Sequence, residues 1–265
     1  MKHLLFLFLL IIYSCNGPSD CFDYNEKKRQ IYEQNNIRYM AQMRLDSLGH
    51  EVKNSVSITN ERGDLIEYTI YSEGDTLKEK YSYDSNHHIT KVQASKNDSV
   101  WRLKSKRVQD EKRNRETIFE YDEDGTVYRT EYMNDSYGNN IWNKFYQDDH
   151  LKYIHLFYWN APCMPDSIVR FDSDSNRTGE KKVFKYSEDL LVEKTSYKDG
   201  EVIEIEKFRY NELGLRELTI YELRNSYRYS TTIEYDGELP VAETSIYTSL
   251  PYSYADTTRY IWKYR

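Results

Sequence analysis

The sequence predicts an all-β chain, an antiparallel hairpin-repeat meander forming a single long twisted sheet or an open solenoid, preceded by one N-terminal helix. Three observations predict it. An aromatic-x-Tyr segment followed by an Asp/Asn/Ser-rich turn recurs at Tyr81-Ser82-Tyr83-Asp84, Phe119-Glu120-Tyr121-Asp122, Phe184-Lys185-Tyr186-Ser187, Phe208-Arg209-Tyr210-Asn211 and, with Ile in the aromatic place, Ile233-Glu234-Tyr235-Asp236. A second half, Glu-x-Thr/Ser-x-Tyr, follows at Glu67-Thr69-Tyr71, Glu193-Thr195-Tyr197, Glu217-Thr219-Tyr221 and Glu243-Ser245-Tyr247. Its period of two is that of a strand, whose successive side chains point to opposite faces. The third is composition: hydrophobic residues are 38%, charged residues 31%, and 27 residues are Tyr. Such a chain cannot fill a thick, dry core, whereas Tyr gives a thin sheet apolar area while keeping its hydroxyl wet.

Taken in order, residues 1–14 form an export signal: Lys2 and His3, then the apolar run Leu4 to Ile12. Nine apolar residues are too few for a spanning helix, which needs about 20, and fit a cleaved leader. Ile12, Ser14 and Cys15 resemble the lipobox of bacterial lipoproteins, with Tyr13 bulkier than that pattern. The resemblance implies cleavage before Cys15, lipid on its sulfur, and a membrane as the first partner. Asn16 after the cysteine implies, by the same resemblance, sorting to the outer membrane. Residues 15–21 become the tether, and loss of Lys2 takes the formal charge from −7 to −8. An acidic body has little attraction for nucleic acid or anionic lipid.

Residues 22–48 carry no Gly or Pro and many helix formers, with Asp23 placed to cap the start and Gly49 to end it. One helix is expected there, covering a sheet edge or face. Residues 49–265 form the repeat domain. Repeat centres at 58, 83, 121, 146, 171, 186, 210, 235 and 260 lie mostly about 25 residues apart, with one insertion and one shortened unit. Gly63, Gly125 and Gly214 stand beside Asp or Asn where the chain must reverse, which is hairpin chemistry. Each hairpin needs its neighbours to bury apolar surface.

The turn Tyr121-Asp122-Glu123-Asp124-Gly125 resembles the YD repeats of RHS-type envelope proteins, and the likeness runs loosely over most of residues 50–265. Tyr186-Ser187 and Tyr210-Asn211 depart from it. Tyr197-Lys198-Asp199-Gly200 resembles MORN-type hairpin repeats instead. Both resemblances imply extended sheets used as scaffold or binding surface, and neither implies catalysis.

No residue pattern specifies a cofactor. Asp172-Ser173-Asp174-Ser175-Asn176 places oxygens at alternate positions, but Arg177 and Val183 stand where a calcium loop needs Gly and Glu, so a solvated turn is expected. His87 and His88 are adjacent and cannot share one metal from a strand. Asp148-Asp149-His150 and His155 read as a polar turn with a nearby histidine. Cys21 and Cys163 are a candidate disulfide, since an exported chain meets an oxidising compartment. Asp-Ser/Thr pairs followed by an aliphatic residue or Thr, as at Asp98-Ser99-Val100 and Asp166-Ser167-Ile168, resemble an O-glycosylation sequon of Gram-negative anaerobes. The candidate binding surface is the aromatic segment Tyr146, Tyr153, Phe157, Tyr158 and Trp159, which either stacks on a ligand or holds a thin sheet together. The expected function is therefore a lipid-anchored envelope protein, not an enzyme, whose sheet binds a protein or glycan. A polysaccharide-acting hydrolase and an assembly accessory lending a strand edge to a client are the alternatives.

Overall fold

The computed structural model describes residues 24–46, 48–72, 74–161, 164–224, 226–249 and 254–265. The leader, Cys15, Cys21 and Cys163 lie outside them, as does the disulfide expected of the last two. One short helix, α1 (Tyr24–Gln34), precedes eighteen strands. β1 (Tyr39–Leu45) occupies sequence expected to be helical; Met40-Ala41-Gln42-Met43 enters the sheet because two neighbours compete for it.

Those neighbours overturn the expectation of an open meander or solenoid. β1 pairs with β2 (Glu51–Thr59) through Ala41 opposite Val56, and with β18 (Tyr254–Tyr264) through Ala41 opposite Lys263. Every other strand pairs antiparallel with its sequence neighbours: β3 (Leu65–Ser72), β4 (Asp75–Tyr83), β5 (Ile89–Lys96), β6 (Arg102–Asp110), β7 (Arg115–Tyr121), β8 (Val127–Asn134), β9 (Asn140–Gln147), β10 (His150–Ala161), β11 (Met164–Asp172), β12 (Arg177–Ser187), β13 (Leu190–Lys198), β14 (Glu201–Tyr210), β15 (Arg216–Leu223), β16 (Tyr227–Asp236) and β17 (Leu239–Ser249). The sheet is a closed, eighteen-stranded, up-and-down barrel. Closure could not be read from the repeats, because a local 25-residue signal does not encode how many units complete a ring.

Turn chemistry is as the sequence suggests and can be stated atom by atom. At Asn211 the side-chain Oδ1 accepts the backbone N–H of Leu213 and of Leu215 at 3.0 and 2.9 Å, while Gly214 N donates to the Asn211 carbonyl. Asn60, Asp135 and Asp172 build the same loop, and Asp172 organises its turn through the N–H groups of Asp174 and Asn176. Asp84 does likewise, with His87 at the left-handed position (φ +65°). His87 and His88 are drawn apart: His87 Nδ1 lies 2.6 Å from Asp64 and His88 Nδ1 lies 3.1 Å from Asp84.

The repeat tyrosine has a second task. At the ends of β4, β14, β16 and β18, Tyr83, Tyr210, Tyr235 and Tyr264 donate their hydroxyls to the carbonyls of Leu65, Leu191, Arg216 and Pro240. Each acceptor lies at or near the start of the preceding strand, so the hydroxyls pin successive strands together along one rim. A net hydrogen bond contributes about 1 kcal/mol, and the series compensates for a wall in which no side chain among the described residues is fully buried.

Helix α1 identifies the inside. Lys27 reaches the carbonyl of Leu213 in the β14–β15 turn, and Arg29 reaches that of Arg62 in the β2–β3 turn at 2.5 Å. These turns are separated around the ring by β15–β18, β1 and β2, so an 11-residue helix touches both only from within the mouth. There Ile31, Tyr32 and Ile37 pack with Met40, Leu215, Tyr235, Trp262 and Tyr264. Burial of a side chain of that size contributes about 1.5–3 kcal/mol, and this cluster is the barrel's one compact core among the described residues.

Gly63 has φ +76°, and a β-carbon there would strike the backbone carbonyl of Arg29. Gly125 has φ +91° with open space around it. Substituting Ala at either strains the backbone by about 1–3 kcal/mol, and Gly63→Ala should cost more by lifting α1 from the mouth. Urea midpoints of the two variants decide this; equal midpoints would mean that α1 does not seat beneath the β2–β3 turn.

Candidate functional site: the barrel lumen

Register divides the wall into two faces all round the ring. Met40 stands opposite Ser57, Ser57 opposite Tyr68, and Tyr68 opposite Glu79. The same face continues through Ile118, Thr130, Phe145, Tyr153, Lys182, Ser196, Glu206, Tyr221, Tyr229 and Tyr247 back to Tyr260 and Trp262. Because α1 packs on Met40 and Trp262, this face lines the lumen.

Burial raises the phenols of Tyr81, Tyr83, Tyr153 and Tyr260 and the carboxyls of Glu120 and Glu243 on the lumen face, and also the phenol of Tyr146 on the outer face, which Glu131 raises further. Eighteen strands enclose a space wide enough for water. No strong strand-to-strand contact among the described residues crosses it, since all join ladder neighbours.

The outer face carries charge, at mid-strand in Lys106 and Lys144 and mostly nearer the strand ends in ion pairs. Lys185 pairs with Glu193 and Arg209 with Glu217, each at 2.5 Å, Arg228 with Glu222 at 3.2 Å, and Arg259 with Glu234 at 3.3 Å. A membrane barrel needs an apolar outer band, and each Lys or Arg at the bilayer midplane costs about 2–4 kcal/mol. Among the described residues Lys106 and Lys144 interrupt such a band on the outer face, and the lumen face carries Lys104, Arg107, Glu116, Lys182 and Lys194.

The predicted aromatic segment is split by this geometry. Tyr153, Phe157 and Trp159 face the lumen, whereas Tyr146 and Tyr158 face out. Tyr146 is held outside by Arg129, 4.0 Å from its ring, and by Glu131. Tyr153 is sandwiched: Phe145 stacks on it at 4.8 Å and 10°, and the Arg170 guanidinium lies 4.2 Å from its centroid. It holds the wall together, as cross-strand aromatics do. Phe157 and Trp159 are different. Their rings lie 6.5 Å apart and 18° from parallel, and Trp159 Nε1 donates to the Asn140 carbonyl at 2.8 Å, which fixes the indole.

Sequence reasoning noted His155 only beside a polar turn and missed the other polar groups that complete this wall. His155 lies beside Tyr153, with Nδ1 3.1 Å from Asn143 Oδ1. Burial first, then Arg170 and Lys182, push its pKa down to about 4. Arg170 is bound to Glu180 at 2.7 Å. Elsewhere on the lumen face Glu79 pairs with Lys104 and accepts the Tyr81 hydroxyl. The signal for all of these was alternation within β4 and β10, legible only once one face was known to be enclosed. The two carboxyls raised by burial, Glu120 on β7 and Glu243 on β17, stand on separate walls and do not form a pair.

No family model matches the chain, and no curated protein does. Among solved structures, a porin-like protein from Bacteroides uniformis aligns at 10% identity over 86% of this chain and 98% of that one, with a TM-score of 0.47. A TcdB2-TccC3-Cdc42 structure aligns at 8% identity over 88% of this chain and 17% of that one, with a TM-score of 0.21. The architecture described above rests on the strand ladders themselves.

A neutral His155 stabilises the fold fully above its ordinary pKa of 6.5, and that contribution is lost as pH falls through about 4. The raised carboxyls of Glu120 and Glu243 act in the opposite sense, so the informative quantity is the difference between wild type and His155→Gln. That difference in urea stability should shift steadily between pH 6.5 and 4 in favour of the variant. A pH-independent difference would place His155 in water.

Proposed function

We propose that this chain is a lipid-anchored envelope protein, not an enzyme, whose barrel lumen binds a glycan. Attachment through Cys15, to an outer membrane, follows from the leader. The barrel then stands off the membrane on the tether, since its charged outer wall does not enter hydrocarbon. The observation that carries the binding reading is the Phe157–Trp159 pair, two near-parallel rings with the indole fixed by Asn140, on the lumen wall. A pyranose ring has an apolar C–H face that lies on such rings and hydroxyls that seek neighbouring polar groups. Asn143, His155, Arg170 and Glu180 supply those on the adjacent strands. A fixed ring loses little freedom on binding.

A closed ladder also weighs against the strand-lending alternative, because no strand among the described ones is left with an unpaired edge.

Two measurements test this. Replacing Cys15 with Ser should abolish incorporation of labelled palmitate and release the protein from membranes. In gels cast with dextran, xylan or polygalacturonate, the wild type should be retarded by at least one, and Trp159→Ala should migrate as in a blank gel while keeping the wild-type melting point. No retardation by any polymer, or equal retardation of the variant, would sink the glycan reading.

A further inference from the structure

We infer that the space between α1 and the barrel wall is a second binding site, one for a small, largely apolar ring carrying a single hydroxyl, of which phenol is the simplest. A cavity of about 190 Å³ lies there. Ile31 and Tyr32 line it from α1, Ile233 and Tyr235 from β16, and Leu215 from the β14–β15 turn. Both tyrosines offer it their rings, because their hydroxyls are spent elsewhere. Tyr32 Oη lies 3.3 Å from Met40 Sδ, and Tyr235 Oη donates to the Arg216 carbonyl at 2.8 Å.

Two polar groups on the same lining lack a good partner. Trp262 Nε1 is buried and has no acceptor among the described residues. A buried donor left unmet carries a desolvation penalty that any acceptor relieves. Glu243 also lines the cavity, and its Oε1 accepts a long bond from Ser245 Oγ at 3.4 Å. Burial pushes its carboxyl up, against the pull of Ser245 and Lys28. Glu243 stands directly opposite Tyr260, two residues before Trp262, so Glu243 and Trp262 are diagonal neighbours on one face. Such positions lie about 7–8 Å apart. One hydroxyl between them accepts from the indole N–H and donates to the carboxylate.

Water alone fills this cavity poorly. A water molecule takes about 30 Å³ and settles where it makes about three hydrogen bonds. Trp262 and Glu243 anchor one, whereas others would lie against Ile31, Leu215 and Ile233. Lys28, Glu238 and Glu243 bring charges of both signs to the lining, so the space does not select an ion. An engineered apolar cavity of about 150 Å³ binds benzene, and this one adds a donor and an acceptor for a hydroxyl. The cavity lies between α1 and β16–β18, away from Phe157 and Trp159 on β10, and is too small for a polysaccharide. It therefore stands apart from the glycan reading.

The test uses the mature chain, with phenol as probe and toluene, which lacks the hydroxyl, as control. Saturation transfer from protein to probe protons in NMR reports binding. Phenol should bind saturably at about millimolar concentration and in preference to toluene. A cavity with no use for the hydroxyl would reverse that order, since phenol gives up more hydration on entering. Trp262→Phe, which keeps a ring and loses the N–H, should weaken phenol about fivefold and leave toluene unchanged. Ile233→Phe, which fills the space, should abolish binding of both. A melting curve for each variant separates a lost site from a lost fold. Preference for toluene, absence of binding by the folded wild type, or undiminished phenol binding by either folded variant would each overturn the inference.

Discussion

The pairing of Tyr39–Leu45 with two strands at once, β2 ahead of it in sequence and β18 at the far end of the chain, is the contact on which the remaining structure depends. A sheet of eighteen strands with two free edges would expose rows of unpaired N–H and C=O groups and would have no inside. Closure removes the edges and, in the same step, divides every strand into a lumen face and an outer face. The Lys263–Glu51 pair bridges β18 and β2 across β1 on the outer face, and the helix cluster seals the same seam from within. The seam is thus held from both sides, at the place where contacts have the greatest sequence separation and cost most entropy to close.

Away from the seam, the wall is thin and stabilised laterally rather than through depth. Small residues such as Ala41, Thr69, Ser95, Ser167 and Thr195 are among the most buried, because longer neighbours on adjacent strands lean over them. Lys104 reaches Glu79 in this way over Ala94, and Arg259 reaches Glu234 across β17. The exposed Arg259–Glu234 pair contributes about 0–1 kcal/mol, so its use is in excluding water from the strand beneath, whereas Lys104 compensates the charge of Glu79, which is buried. Tyr is abundant for the same reason: its ring covers a neighbour, and its hydroxyl reaches a carbonyl of the next strand.

Spacing explains why one repeated motif does different work in different units. Glu193, Thr195 and Tyr197 face out, whereas Glu243, Ser245 and Tyr247 face the lumen. Both units carry the same register shift, near Lys185/Tyr186 and Glu234/Tyr235, but Glu193 lies seven residues after Tyr186 and Glu243 eight after Tyr235, and a one-residue offset moves the motif to the other face. The aromatic rungs of the lumen therefore cluster on a few strands and do not recur every 25 residues.

The sequence by itself determined the local structure: antiparallel hairpins, Asx-built turns at Asn211 and Asp172, an N-terminal helix though not its end at Gln34, and a sheet too poor in hydrophobics for a thick core. These are set within a few residues by backbone preferences and side chain-to-backbone hydrogen bonds, so they survive without knowledge of the rest. Only the tertiary structure decided that the meander closes, that Met40–Met43 is strand rather than helix, and that Tyr153, Phe157 and Trp159 share an interior while Tyr146 and Tyr158 do not. The physical reason is common to all three. Each depends on residues more than 200 positions apart meeting at the β1–β18 seam, or on the facing that this meeting imposes, and a period-two pattern is the same whichever face becomes the inside.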